Sequence, residues 1–528
     1  MDKWSKDLLP NSPEDDENYS RQVPRNLLSY FAVSLTNLVV GFWLTPFYVQ
    51  SLGVAAYGLI PLATSITNYF GIITESIHTT VSRYLTVDLR TNNFKKANIT
   101  FNTAIFGALG LILIITPIAA ILSFNVESIF SIPEGIADDA MVMFLGIISA
   151  FLLNAWASNF GVPLFSHNRL DLKNLIVVVR YLSQVIIVVA LFFILSPSIR
   201  YIGVSFFIAA IIAFVITLLL WKWIAPQLKV KPRDFNIQRL KDLSGLGGWY
   251  LVTVAGSLLF TQIDLIVINL SLDPVAGGEY AIALTWSLLL RSMASMFDGV
   301  VGPVIMIDYA REKFDSILRI SKTAVKCMGY IIALPVGLIS GFAPQLLTLW
   351  VGPEFAGLAP LMWILIGHLV INLAVRPLFP IEVAFNKVRT PGLITLGMGI
   401  CNLLLAVFLV NFTALGMYGV AIAGAIMLTM KNSIFTPWYA ARIMGVSSTT
   451  FVRPLVSGLV AVIIIASSLY ILHFWISITS WIQLGACSAI VGLAYTGMIW
   501  RFGLSLQERK VILSLVPSPI QQKISFLA

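Results

Sequence analysis

Long apolar runs, separated by short polar stretches, make up most of this chain of 528 residues. A helix needs roughly 20 apolar residues to cross a bilayer core about 30 Å thick. Fourteen runs reach about this length, and they lie at 27–50, 54–82, 98–122, 138–165, 174–195, 200–221, 245–270, 276–305, 323–345, 357–384, 391–411, 415–440, 454–475 and 480–501. The pattern therefore predicts an all-α polytopic membrane protein with fourteen transmembrane helices.

The basic residues test this count independently. If the N-terminus lies inside, the alternate polar segments that face the cytoplasm carry 29 of the 34 Lys and Arg residues, and the segments on the other side carry only Arg200. A helix counted wrongly would reverse the side of every later segment and destroy this bias. The positive-inside rule therefore predicts that both termini are cytoplasmic.

Composition narrows the class of protein further. Hydrophobic residues make up 58% of the chain and charged residues 11%, with a mean hydropathy of +0.88, whereas a soluble protein averages about 25% charged residues. The cytoplasmic segments account for the net charge of +9, so nucleic acid is not expected as a partner. No phosphate loop, zinc-binding helix motif or nucleophile elbow occurs, and no polar loop is long enough for a catalytic domain. We therefore expect no enzyme activity, no cofactor and no metal site.

A weak internal repeat runs through the first twelve apolar runs. A short turn around Gly53 follows the first run, and a similar turn precedes Tyr280. When Tyr57 is aligned with Tyr280, the polar segments 82–104 and 303–324 also align. Each copy contains six predicted helices, so both copies begin on the same side of the membrane, as parallel repeats do. The expected result is two six-helix lobes followed by two extra helices.

The repeat and the charge pattern together predict the domain organisation. The segments in order are a disordered cytoplasmic tail (1–24), an N-lobe (25–222), a basic cytoplasmic linker (223–244), a C-lobe (245–443), the last two helices (454–501) and a second cytoplasmic tail (502–528).

Three stretches near the N-terminus carry a resemblance to a known family. They are the first apolar run from Asn26, the segment SLGVAAYGLIPLATSITNYFGI at 51–72, and SRYLTVDLR at 82–90. With two six-helix lobes and two further helices, the chain resembles the multidrug, oligosaccharidyl-lipid and polysaccharide (MOP) exporter superfamily, and within it the polysaccharide flippases of O-antigen or teichoic-acid type. The major facilitators also have six plus six helices, but their Gly-rich basic loop is absent, since this loop reads TVDLRTNNFKKAN.

The resemblance implies a function and a set of partners. It implies that a lipid-diphosphate-linked oligosaccharide is flipped from the inner to the outer leaflet of the plasma membrane, through a central cavity rich in positive charge. Membrane lipid, a coupling H⁺ or Na⁺ and polysaccharide assembly proteins are the further partners that it implies. The alternative is a cation-coupled multidrug or metabolite antiporter of the same superfamily, although exporters of that type typically have twelve helices.

Four basic residues within the apolar runs are the candidates for substrate binding. Ionisable groups inside a membrane are costly and usually face a protein interior or water. A guanidinium can hold phosphate oxygens with a forked pair of hydrogen bonds, which suits a diphosphate. The alternative for an arginine is a structural ion pair, and a basic side chain near a helix end can instead reach the interface. The candidates are Arg291, Arg376, Lys431 and Arg180.

Acidic residues in the apolar runs are candidates for balancing these cations or for ion coupling. They are Glu75, Asp264 and Asp298, and His78 follows Glu75 by one helical turn. Structural pairing with a cation, for example between Arg291 and either aspartate, is the competing interpretation. The C-lobe holds three of the four cations, so the anionic end of a substrate is expected to contact the C-lobe more.

Overall fold

The computed structural model describes residues 13–245, 248–473 and 478–509 and divides the chain into two compact units, Met1–Gly278 and Glu279–Ala528. Over the described residues it is helical with no strand, so the prediction of an all-helical protein is confirmed. The helices of the first unit are α1 (Pro13–Leu52), α2 (Val54–Arg90), α3 (Phe94–Phe124), α4 (Val126–Ile129), α5 (Ala137–Ser166), α6 (Leu170–Ile194), α7 (Arg200–Ile224), α8 (Ile237–Gly245), α9 (Gly248–Thr261) and α10 (Ile263–Ser271).

The second unit begins within the second turn of a long helix. Its helices are α11 (Pro274–Ala310), α12 (Phe314–Gly341), α13 (Ala343–Trp350), α14 (Ala359–Gly367), α15 (Leu369–Ala374), α16 (Phe379–Ala384), α17 (Arg389–Phe412), α18 (Met417–Met430), α19 (Thr436–Ile443), α20 (Val452–His473) and α21 (Trp481–Met498).

The described residues contain eleven segments that are long and apolar enough to cross a membrane. A twelfth is obtained if Leu251–Thr261 and Ile263–Ser271, which meet at a bend of 47°, count as one broken span. These segments make the chain a multi-pass membrane protein. The predicted count of fourteen stays a prediction, because the helices α2 and α11, with 37 residues each, are not among the counted segments.

Residues 13–24 belong to the segment that the sequence predicts to be a disordered tail. They form the first turns of α1, and the expectation of a disordered tail over 1–24 stays a prediction. Pro13 occupies the first helical position, which suits its fixed φ and missing N–H. Acidic residues follow it over 14–17, where their charge is favourable beside the positive end of the helix dipole.

The core of the first unit forms where α5 packs closely against α7. A Cβ on Gly146 would lie 2.4 Å from the backbone of Gly203, so only glycine permits this approach. Nearby, the rings of Phe101, Phe160 and Trp221 contact one another at centroid distances of 5.3–5.9 Å. These contacts hold α3, α5 and α7 together next to the linker.

The basic linker folds back onto the polar turn between α2 and α3, which we call the elbow, and onto the start of α3. The Asn98 side chain bonds to the main chain of Gln227 and Lys229, and Asn102 bonds to Lys229 and Lys231 in the same way, at 2.7–3.1 Å. Side-chain amides at this spacing thus pair with successive linker peptides as a neighbouring strand would. The linker is therefore part of the first unit.

Within the second unit, α12 runs against α20 with backbone in contact. A Cβ on Gly458 would lie 3.0 Å from the Cα of Gly329. The helix α21 joins the same group because the hydroxyl of Tyr495 donates to the carbonyl of Tyr330, at 2.9 Å. The last two helices are thereby packed on α12.

Four helices end in the same left-handed turn at residues other than glycine. Asn92 and Glu312 have φ of 54° and 57°, and Asn168 and Asn386 have φ of 56° and 54°. In each case the next residue donates its N–H to the carbonyl five positions earlier, at 2.7–3.0 Å, which is the Schellman geometry. Asn92 and Glu312 lie in the matched polar segments 82–104 and 303–324, and Asn168 and Asn386 are separated by a similar interval, 218 residues against 220.

Candidate functional site: a polar cluster in the second unit

Proline residues break one membrane span of the second unit into short pieces. The helices α14, α15 and α16 and the 3₁₀ turn Arg376–Leu378 follow one another within the span Pro353–Ala384. Pro377 and Pro380 lack the N–H that would continue a regular helix. In the most apolar stretch of this span 67% of the residues are buried, the highest share among the spans that the structure describes, so the span lies mainly in the interior of the second unit.

The span that faces it contains a π-helical turn. Residues Lys431–Phe435 link α18 to α19, and Pro437 follows at the start of α19. A π turn adds a residue to the helix and changes the direction of the side chains. Asn432 and Thr436 are 3% and 1% exposed, so this turn directs two polar side chains into the interior.

A chain of hydrogen bonds joins the two spans. The Asn372 amide nitrogen lies 2.6 Å from Nδ1 of His368 and 3.2 Å from Oγ1 of Thr429. The Asn432 amide donates to Oδ1 of Asn372 at 3.1 Å, and the Thr436 hydroxyl lies 3.4 Å from Oδ1 of Asn432. Polar bonds of this kind hold membrane helices together where lipid offers no alternative partner.

Lys431 brings a positive charge to this chain of amides. Its Nζ lies 3.5 Å from Oδ1 of Asn432 and 5.3 Å from the ring centroid of Phe379. The carboxylate of Glu382, which is 8% exposed, interacts electrostatically with it. We call His368, Asn372, Glu382, Lys431 and Asn432 the polar cluster. Its chemistry is that of a partly buried ammonium beside the Asn432 amide and one acidic side chain, which can accept an anionic group.

The two predicted arginines of the second unit lie in its interior as well. Arg291 is partly buried on α11, where its Nε donates to Oγ of Ser287 at 3.3 Å, and it is close enough to His368 to act on it electrostatically. Arg376 is also partly buried and lines a cavity of about 10 Å³ with Pro377 and Pro380. Arg291 therefore adjoins the polar cluster, and Arg376 lies on the same broken span.

The other candidates lie elsewhere. In the first unit, the Arg180 guanidinium stands 5.1 Å from the ring centroid of Tyr181. Asp264 is buried in the first turn of α10, after the bend, and interacts electrostatically with Tyr69, whose hydroxyl donates to the carbonyl of Leu258. An acid at this position is favoured by the positive end of the helix dipole.

Three candidates cannot be assigned contacts, because their side chains lie outside the described part of the structure. Glu75 and His78 fall on α2, and Asp298 falls on α11. The proposed pairing of Arg291 with an aspartate therefore stays a prediction.

Sequence reasoning missed most of the polar cluster. Glu382 was visible as a carboxylate within the apolar run 357–384, two residues after a proline. Asn372 and Asn432 gave no signal, because single asparagines are common in membrane helices and their partner is 60 positions away.

Comparisons with known proteins identify the family of this chain. The family described as polysaccharide biosynthesis protein matches residues 23–307. The chain is 33% identical to the uncharacterized membrane protein EpsK of Bacillus subtilis (strain 168) over 497 residues, which are 94% of this chain and 97% of that protein.

Solved structures show the same fold. The lipid II flippase MurJ in an inward closed conformation aligns with a TM-score of 0.65 and 14% identity, over 89% of this chain and 98% of that chain. An inward-facing multidrug resistance transporter of the MATE family, in the MOP superfamily, aligns with a TM-score of 0.55 and 16% identity, over 84% and 98%. The fold is therefore shared with these two membrane transporters.

Proposed function

Because this chain belongs to the polysaccharide biosynthesis protein family, we propose that it is a flippase that moves lipid-diphosphate-linked oligosaccharide from the inner to the outer leaflet of the plasma membrane. Alternating access is the proposed mechanism, and cell-surface polysaccharide synthesis is the proposed role. The family match, the relative EpsK and a fold shared with a lipid II flippase support the proposal.

One observation is the main support for an anionic lipid-linked substrate. Arg291, Arg376 and Lys431 are all partly buried inside the second unit; Arg376 and Lys431 lie within apolar spans, and Arg291 lies within the apolar run 276–305. Cations there carry a large desolvation cost and persist where they serve a substrate or a partner. Two guanidiniums and an ammonium supply the donors that a diphosphate needs. In this proposal Arg291, Arg376 and Lys431 bind the diphosphate, and Asn372 and Asn432 orient Lys431.

Counter-ions and coupling complete the proposal. Glu382 balances Lys431 when no substrate is bound, and Asp264, Glu75, Asp298 and His78 are the candidates for charge balance or for binding a coupling H⁺ or Na⁺. Arg180 is the candidate contact in the first unit. Polysaccharide assembly proteins are the expected protein partners.

We further propose fourteen transmembrane helices arranged as two parallel six-helix repeats and a final pair, with both termini cytoplasmic. The count requires α2 and α11 to cross the membrane in addition to the broken span at α9 and α10. Two observations support the repeat. The helices α2 and α11 have the same length, and the left-handed turns recur in two matched pairs.

The test replaces the three cations together, in R291Q/R376Q/K431Q. Each charged hydrogen bond contributes roughly 1.5–3 kcal/mol, so we expect the flipping rate to fall by about a hundredfold or more. The measurement is the appearance of fluorescent lipid-diphosphate oligosaccharide in the outer leaflet of proteoliposomes. A matched control is R90Q/K95Q/R233Q, which removes three exposed cations at the turn between α2 and α3 and in the linker and should flip at the wild-type rate.

Two results would contradict the proposal. One is wild-type flipping by a correctly folded triple variant. The other is a wild-type protein that does not flip the lipid but exchanges a cationic drug for H⁺ or Na⁺, which would establish the antiporter instead.

A further inference from the structure

A second basic site lies in the second unit, at the end of the spans where α12 and α20 begin. It is a cavity of about 460 Å³, a size typical of small-ligand pockets. Lys322 and Lys326 of α12 and Arg453 of α20 line it, together with the hydroxyls of Thr449 and Thr450. We call it the basic pocket; it is separate from the polar cluster.

The close contact of Gly329 with Gly458 explains why a pocket forms there. The two helix backbones touch at this point, while the basic residues of the pocket precede it by at most about two turns on each helix. Toward their beginnings, long side chains replace glycine on both helices. The space between the helices there is lined by charged and hydroxyl groups instead of being closed by apolar packing.

A fixed carboxylate neutralises one of the three cations. Lys326 Nζ donates to both oxygens of Glu508, at 3.0 and 2.8 Å. Glu508 is held in a capping box, in which its Oε2 accepts from the N–H of Ser505 at 2.8 Å and its own N–H donates to the Ser505 hydroxyl at 3.3 Å. Burial favours a raised pKa for Glu508, but the bonds from Lys326 and Ser505 hold the pKa below its ordinary 4.5. Glu508 is therefore ionised at neutral pH.

The other two cations leave the basic pocket with a positive charge. Over the ranges that the structure describes, neither Lys322 nor Arg453 forms an ion pair. Residues 510–528 contain two lysines and no acidic side chain, so that segment brings no carboxylate side chain to them. An ammonium, a guanidinium and two threonine hydroxyls around one cavity match the oxygens of a phosphate.

Exposed apolar side chains on the segments that line the pocket indicate the source of that phosphate. Val456 of α20 is 50% exposed, and Phe502 and Leu506, on the segment that leads to Glu508, are 79% and 63% exposed. A soluble anion has no use for such a surface, whereas the acyl chains of a lipid lie along it. Basic pockets between membrane helices at the interface suit lipid head groups. We propose that the basic pocket binds the phosphate of an anionic phospholipid, with the acyl chains along Val456, Phe502 and Leu506.

The experiment measures binding of radiolabelled phosphatidylglycerol to the purified full-length protein in detergent, in about 0.3 M salt, so that long-range surface attraction is screened. Each cation near a membrane surface is worth about fivefold in binding, so K322Q/R453Q should bind about thirtyfold more weakly. The matched control is R311Q/R319Q. It removes two exposed cations at the same end of the unit, outside the pocket lining, and should bind as the wild type does.

Three results would overturn the proposal. They are equal binding by K322Q/R453Q and R311Q/R319Q, equal binding of zwitterionic phosphatidylcholine and phosphatidylglycerol, and complete displacement of the lipid by millimolar inorganic phosphate, which would assign the pocket to a soluble anion. If K322Q/R453Q does not fold, the single variants decide, because each should bind about fivefold more weakly. K322R/R453K keeps both charges and should retain the lipid.

Discussion

The elbow after α2 in the first unit and the elbow after α11 in the second unit are built on the same turn. Asn92 and Glu312 both adopt positive φ, and the carbonyls of Asp88 and Asp308 both accept the bond that closes the turn. In the first unit the linker then returns, and Arg239 covers the carboxylate of Asp88. In the second unit the elbow packs against Phe385 through Tyr309 and Phe314, no ion pair to Asp308 occurs over the described residues, and the helix that follows leads to the basic pocket.

The difference shows what determines whether the polar groups near such a turn stabilise the fold or bind a ligand. Arg239 donates to Asp88 at 2.9 Å and to Thr100, and it stacks on Tyr84 with 4.2 Å from guanidinium carbon to ring centroid. The side chains of Arg239, Asp88 and Thr100 therefore hold the linker in place. Lys322 and Lys326 follow the second elbow and line an open cavity. The covering segment, and not the turn, determines whether the polar groups stabilise the fold or bind a ligand.

The largest effect is expected from breaking the covered elbow, with Asp88→Asn. The side chains of Asp88 and Arg239 are only 4% and 11% exposed, and removing one partner of a buried ion pair leaves the other charge uncompensated, which costs about 3–5 kcal/mol. We expect a clearly lower thermal unfolding midpoint for the purified protein.

Asp308→Asn is the matched control, because Asp308 occupies the corresponding position of the second elbow and is only half-buried. We expect it to change the free energy of unfolding by less than about 1 kcal/mol. Equal destabilisation by the two variants would refute the comparison.

A smaller effect is expected from the interior amides, which also differ between the units. The Asn432→Ala substitution removes the partner of Asn372 and Lys431, and an unsatisfied buried polar group costs about 1–3 kcal/mol. In the first unit, Asn159 is 3% exposed but bonds only to carbonyls of its own helix, and its Oδ1 has no hydrogen-bond partner among the described residues. Asn159→Ala should therefore cost less than about 1 kcal/mol.

Both variants are measured by thermal unfolding in the same detergent. A larger loss for Asn159→Ala than for Asn432→Ala would mean that the amide network of the second unit does not hold its two spans together.

The smallest effect compares the two turns themselves. A glutamate in the left-handed region is strained, by about 1–2 kcal/mol for most residues, whereas asparagine tolerates it. Glu312→Gly should therefore stabilise the protein by about 0.5 kcal/mol after the entropy cost of glycine, and Asn92→Gly should be neutral or slightly destabilising. Thermal unfolding of the two variants side by side tests this, and stabilisation by Asn92→Gly alone would contradict it.

Sequence patterns predicted the helices well, because a membrane imposes length and hydropathy on each span. The short links at 195–200 and 411–415 are examples: α6 ends at Ile194 before α7 begins at Arg200, and α17 ends at Phe412 before α18 begins at Met417. A cation in an apolar run is equally conspicuous, which is why Arg291, Arg376 and Lys431 could be singled out.

Features that depend on distant partners could not be predicted. The π turn at Lys431–Phe435 has no hydropathy signature, and the Asn372–Asn432 bond requires two spans to be placed together first. The hydrogen bonds from Asn98 to the linker likewise form only once residues 225–231 have folded back against α3. Hydropathy indicates whether a segment lies in lipid or in water, whereas these contacts depend on which other segments lie next to it.

The backbone contact of Gly329 with Gly458 has a mechanical consequence. Because no side chains separate the two helix backbones at this point, we expect α20 to follow any tilt of α12. The walls of the basic pocket then move together. If the basic pocket holds a phospholipid as proposed, that lipid moves with both helices, and the lipid composition of its leaflet becomes a variable of the proposed transport rate, alongside the concentration of the cargo.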